Sequence, residues 1–235
     1  MVSSSRSPWF GQRPPQRLAE ADSVVVIGLG RFGTSLALEL MDTGIDVLGI
    51  DVDEERVQSL NGRLTHVVRA DATKEEVLRQ LAVHEYDRAV VGIGTHIESS
   101  ILVTSRLLRF GDVTVWAKAI STPHGEILEQ LGVPHIIYPE HDMGRRVAHL
   151  VRGAILDYVE FEDGFVMIKT NPPAAYVGVP LGGSDLRPKH DVTIVAVRPE
   201  GGRWSYASNT TVLAETDRII VAGDVDKAEA FSRMR

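Results

Sequence analysis

The chain has 235 residues, enough for one large domain or two small ones, with 43% hydrophobic and 24% charged residues. A formal net charge of −7 argues against nucleic acid as a partner, since such binders carry a basic face. The chain has no cysteine, which excludes disulfide frameworks and thiolate metal sites, and no apolar run is long enough to span a bilayer.

Residues 1–22 are rich in Ser, Pro, Gln and Arg and read as a flexible tail. The tail lacks the apolar core of a signal peptide. Its pair Trp9-Phe10 is either a docking element or part of an unstructured extension.

Val24 to Ile27 read as a strand apolar on both faces, as in a covered parallel sheet. The strand runs into Gly28-Leu29-Gly30-Arg31-Phe32-Gly33, and Thr34 to Met41 read as the helix that follows. Gly28 permits the turn out of the strand, Gly30 lets phosphate approach the backbone, and Gly33 lets the helix pack closely. The helix start offers N–H groups and positive potential to an anion. Asp46 to Ile50 read as a second strand, closed by Asp51, which is placed for ribose hydroxyls. An acid there repels a 2′-phosphate, which disfavours NADP.

Asp53 is a candidate cap for a short helix to Leu60. Thr65 to Ala70 read as a third strand, followed by Asp71-Ala72-Thr73. Thr73-Lys74-Glu75-Glu76 has the spacing of a capping box. Asp71 either accepts from an adenine amino group or satisfies its own turn. Ala89 to Gly94 read as a fourth strand ending in Gly92 and Gly94, and Val113 to Ala119 as a fifth. Thr122 and Pro123 then open a helix as cap and first residue. Lys118 lies on a strand that otherwise reads as buried, so it needs a partner, either phosphate or carboxylate. His135 to Tyr138 read as a sixth strand. Strands alternating with helices predict a Rossmann-like doubly wound parallel sheet, with its ligand outside the carboxyl ends of the strands.

From Glu140 the pattern changes. Met143, Val147, Leu150, Val151 and Ala154 predict an amphipathic helix ending near Leu156. Beyond it Phe165 to Lys169, Val192 to Val197, Trp204 to Tyr206 and Arg218 to Ala222 read as strands, and Asp226 to Met234 as a terminal helix. The expected organisation is a tail (1–22), a nucleotide-binding domain (23–139), a connector helix (140–156) and a small C-terminal α+β domain (157–235).

Several stretches sharpen this reading: the Arg-Phe pair of Gly30-Arg31-Phe32-Gly33, then Asp51, Asp71-Ala72-Thr73, Ala117-Lys118-Ala119 and Pro139-Glu140-His141-Asp142-Met143-Gly144. With them the chain resembles the cytosolic regulatory subunits of Ktr and Trk potassium-uptake systems, the RCK proteins. The Ktr type fits best, over about residues 23–235.

The resemblance implies a nucleotide sensor and not an enzyme. ATP or ADP would bind Gly28, Gly30, Arg31, Phe32, Gly33, Asp51, Asp71, Ala72, Thr73, Gly92, Gly94 and Lys118; NAD(H) is associated with the Trk type. It implies Glu140 as a ligand of Mg²⁺ or Ca²⁺, where the residues alone equally suggest a helix-start acid beside Asp142. Dimers would assemble into an octameric ring beneath a membrane-embedded potassium-translocating subunit. The protein would be cytoplasmic, peripheral at the inner face of the membrane. In some members cyclic di-AMP binds the C-terminal domain through an Asp, an Arg and an Asn. This sequence keeps Arg187 and Ile194, with Gly183 and Thr193 where the acid and the amide stand.

Arg31 can pair bidentately with phosphate oxygens and so tell ATP from ADP, whereas an exposed Arg at a helix start is mildly unfavourable. Two other readings compete: an NAD-dependent oxidoreductase, which lacks any recognisable acid–base cluster, and a purely structural dimerisation module.

Overall fold

A computed structural model describes residues 23–152 and 154–234; the expected tail, with Trp9 and Phe10, lies outside the described residues. The chain divides into two units, Met1–Pro139 and Glu140–Arg235.

In the first unit strands and helices alternate: β1 (Ser23–Ile27), α1 (Arg31–Asp42), β2 (Asp46–Asp51), α2 (Glu54–Leu60), β3 (His66–Arg69), α3 (Glu75–Gln80), β4 (Arg88–Val91), α4 (Ile97–Phe110), β5 (Thr114–Lys118), α5 (Thr122–Gln130) and β6 (His135–Ile137). The strands form one parallel sheet in the order β3-β2-β1-β4-β5-β6. This is the expected doubly wound arrangement, and the strand order reverses beside β1. The valine run explains why β1 is central. Val25 and Ile27 enter one core cluster while Val24 and Val26 enter the other, so both faces of the strand are covered.

Three local expectations are corrected. First, α1 begins at Arg31, not Thr34, so Gly33 lies inside the helix. Second, Thr73 does not cap α3. The N-cap position is Lys74, without a side-chain bond. The Thr73 hydroxyl donates to Asp71 Oδ1 at 2.6 Å and its N–H donates to the same oxygen at 3.0 Å. A tight Asx turn has claimed the side chain that the capping box would need. Third, α5 is capped by Ser121, whose Oγ accepts from the His124 N–H, and Thr122 is the first helical residue. Asp53 does cap α2, accepting from the N–H groups of Glu55 and Arg56.

The second unit contains α6 (Pro139–Val151), β7 (Ile155–Glu160), β8 (Phe165–Thr170), α7 (Leu186–His190), β9 (Val192–Arg198), β10 (Ser205–Tyr206), β11 (Arg218–Asp224) and α8 (Val225–Ser232). Its five strands form an antiparallel sheet in the order β10-β9-β11-β8-β7. The connector helix is shorter than expected. It ends at Val151, and Leu156 belongs to β7. A register shift between Ile155 and Asp157 gives β7 the burial pattern of every third residue, which imitates helical spacing.

No residue of α6 is fully buried. Leu150 packs against the second unit's core, while polar groups tie the helix down. Arg145 pairs with Glu160, and Arg146 with Asp157 at 2.6 Å. His149 lies 2.6 Å from Glu229 and stacks on Tyr158 at 4.0 Å.

Candidate functional site

The carboxyl ends of β1 to β5 bring together the residues that the sequence singled out. β1 leaves the sheet at Gly28, whose φ of +96° is open to glycine and strained for other residues. Gly28 N–H still donates to the Ile50 carbonyl at 2.8 Å, and Gly92 N–H donates to the Ile27 carbonyl at 2.7 Å. These bonds hold the loop between the ends of β2 and β4. Inside α1, a Cβ at Gly33 would collide with the Gly28 carbonyl. Helix and loop therefore meet at a distance that only glycine allows.

Gly30 is the N-cap of α1 and brings no side-chain cap, and the first turn contains no acid. The positive end of the helix is thus neither capped nor neutralised by its own side chains. Space for a Cβ at Gly30 is open within 4 Å. Arg31, the first helical residue, is exposed.

Asp51 ends β2 with only 6% of its surface exposed. Its Oδ2 accepts from the Leu29 N–H at 2.6 Å, and its Oδ1 accepts from the Asp53 N–H at 2.9 Å. Arg56 reaches Oδ2 with Nη1 at 3.4 Å and approaches Asp53 with Nε at 3.5 Å. The acid expected to greet a ribose therefore also clamps the glycine loop from behind. The sequence reading missed Arg56; a basic residue in the first turn of the helix after the acid was its signal.

Asp71 is half-buried beside this edge. The Thr73 hydroxyl bond holds its carboxyl below the usual carboxylate range against the opposing effect of burial; the Thr73 N–H, Lys74 and Arg106 also lower it. Ala72 sits in the core, which leaves its backbone as what it can offer a ligand. On the other side of the loop, buried Lys118 places Nζ 5.6 Å from the centroid of the Phe32 ring, a cation–π distance. Gly92 packs beneath Phe32 and Gly94 beside Lys118 Nζ, and a Cβ at Gly94 would lie 3.4 Å from that nitrogen.

Elsewhere, Glu140 occupies the first turn of α6 with Asp142. Among the described residues no three His, Cys, Asp or Glu side chains gather as a metal-binding group. In the second unit Arg187 Nε donates to Thr193 Oγ1 at 3.1 Å, and Ile194 is buried in the sheet. Among the described residues no helix is long and apolar enough to cross a membrane.

Both units of the chain match known domain families. Residues 24–139 match the TrkA-N domain and residues 165–234 the TrkA-C domain. Ktr system potassium uptake protein C of Bacillus subtilis (strain 168) is 34% identical over 209 residues, covering 88% of this chain and 95% of that protein. Among solved structures, the GsuK channel aligns with a TM-score of 0.64 at 15% identity, covering 93% of this chain; this chain spans 40% of the channel chain. A GsuK channel bound to NAD aligns with a TM-score of 0.50 at 21% identity, over 95% of this chain and 39% of that one. At these identities the solved structures show a common fold. The two domain matches in sequence, with a relative aligned over nearly its whole length, place the chain in the TrkA-N/TrkA-C family of Ktr- and Trk-type potassium uptake proteins.

Proposed function

We infer that the chain is a regulatory subunit that senses an adenine nucleotide and gates a membrane-embedded potassium-translocating partner. The observation that carries this is the loop from Gly28 to Gly33. It leaves an uncapped helix start facing outward at the carboxyl end of the sheet, with Asp51 fixed at the neighbouring strand. The name of the Bacillus relative supplies the physiological setting. The protein acts from the cytoplasmic face of the membrane through its partner, as a dimer that assembles into an octameric ring.

ATP and ADP differ by the γ-phosphate alone. A sensor of their ratio must bind them differently in two conformations, since equal affinity shifts no equilibrium. Arg31, exposed on the first turn of α1, is the reader of that phosphate in this proposal. Glu140 is the candidate ligand for Mg²⁺ or Ca²⁺, with its remaining coordination supplied by phosphate, water or a second copy. Cyclic di-AMP near Arg187 and Ile194 is a further candidate ligand of the second unit.

The test is calorimetric titration with ATP, ADP, NADH and NADPH, with the ligand retained on purification identified by mass spectrometry. ATP and ADP should bind, and NADPH poorly. Arg31→Ala should narrow the ATP/ADP difference; an unchanged ratio removes Arg31 as the reader. A second reading, an NAD(H) sensor, is favoured by the fold shared with the NAD-bound channel. Tight NADH binding with no response to ATP would select it. Glu140→Gln should weaken cation-dependent thermal stabilisation of the ATP complex; equal responses of mutant and wild type strike the cation from the proposal.

A further inference from the structure

The environment of Asp51 is more elaborate than an acid waiting for a ribose. A carboxylate offers about four lone-pair directions. Here the Leu29 N–H, the Asp53 N–H and Arg56 Nη1 already use three of them. Arg56 is itself held between two carboxylates, Asp51 and Asp53, at 3.4 and 3.5 Å. Arg69, opposite Asp51 on β3, is engaged with Glu54 at 2.7 Å and with the Val52 carbonyl. A guanidinium thus stands at the edge of the ribose position with its charge balanced by two acids. It is about half exposed, so an incoming group can reach it.

A 2′-phosphate needs a cation at this edge of a Rossmann site, and a 2′-hydroxyl needs an acid. This chain has both in contact. We propose that Arg56 is a specificity-determining residue for the ribose end of the nucleotide. Its charge is withheld from a 2′-phosphate by the pair Asp51 and Asp53, and either acid's removal releases it. Selectivity then resides in the cluster, not in Asp51 repulsion alone. The inference rests on the nucleotide site proposed above.

The probes are 5′-AMP and adenosine 2′,5′-bisphosphate, which differ only in the 2′-phosphate, each titrated against fluorescent ADP bound to the full chain. Wild type should prefer AMP. Asp51→Asn should bring the bisphosphate to parity or better, and adding Arg56→Gln should remove that gain, by about tenfold for one charge-assisted contact. Asp51→Asn leaves one backbone N–H without its acceptor, so it is paired with Asp53→Ser. A serine can still cap α2 while removing one of the two acids that hold Arg56. Asp53→Ser should shift the ratio in the same direction and lose the shift with Arg56→Gln. If adding Arg56→Gln leaves bisphosphate binding unchanged in both backgrounds, the proposal is wrong. If wild type binds neither fluorescent ADP nor AMP, the nucleotide reading itself fails and takes this proposal with it. Normal ADP binding with an unmoved ratio overturns the role of Arg56 alone.

Discussion

Asp51 Oδ2 accepts the backbone N–H of Leu29 at 2.6 Å, across 22 residues of sequence and inside the protein. The bond fastens the glycine loop to the end of β2 with groups of the chain itself. Asp51→Ala should therefore destabilise the free protein, leaving buried donors unpaired at a cost of about 1–3 kcal/mol. Urea denaturation without nucleotide reads this. A ribose contact alone predicts no change in that experiment and a loss only with nucleotide added.

The second and third glycines of the motif should fail in different ways. A Cβ at Gly30 meets nothing within 4 Å, and one at Gly33 runs into the Gly28 carbonyl. Gly30 is the N-cap of α1, where Ala is poorer than Gly, so Gly30→Ala should cost about 1 kcal/mol. It should still lose nucleotide, because the methyl group occupies the approach to the backbone. Gly33→Ala must push α1 off β1 and should cost about 3 kcal/mol or more, as overpacking does at its worst. Equal stability of the two variants would contradict this division of labour.

His124 supplies a pH dependence. Its ring is 2% exposed, Nδ1 faces the Ile120 N–H at 3.4 Å, and Nε2 has no partner among the described residues. Burial pushes its pKa below the ordinary 6.5. The unfolded chain takes up the proton first as pH falls, so stability increases with pH through this window. It is lost from about 6.5 downward, until the lowered native pKa is passed. One such group contributes a slope of at most about 1.4 kcal/mol per pH unit. His124→Met removes the titration. Denaturation at pH 7.5 and 5.0 should show a smaller acid loss in the mutant than in wild type, and parallel losses would rule the residue out.

Much of this was legible in the sequence where one chemistry dominates a segment. The valine run before Gly28 has only one good use, a covered central strand, and the loop after it constrains the backbone tightly. Signals shared by several structures were harder. Thr73 fits a capping box and an Asx turn equally in sequence, and the proximity of Asp71 decided for the turn. β7 was hidden because its register shift replaces alternation with a three-residue spacing, which continues the helical pattern of α6. The Arg56 contact needs the three-dimensional course of α2 past the end of β2, which spacing alone does not give.

Assembly should run through α6. Met143, Val147 and Val151 are 54%, 44% and 77% exposed, and their spacing of four residues puts them on one face of the helix. Arg145 and His149, which bind Glu160 and Glu229, lie on the opposite side by the same periodicity. One side of the helix is thus fixed to its own unit by polar contacts, and the other presents aliphatic surface to solvent. Burying that stripe against a second copy would remove it from water, at about 1.5–3 kcal/mol per large side chain. The double variant Met143→Glu/Val147→Glu should raise the dimer dissociation constant by about a hundredfold or more, since both contacts are lost and charge is introduced. The intramolecular pairs of Arg145 and His149 are untouched, so the monomer should keep its fold by circular dichroism. Sedimentation velocity at micromolar concentration distinguishes the outcomes. A smaller particle with native ellipticity supports an α6 interface. An unchanged particle means that α6 does not form the interface and that another surface holds the copies together.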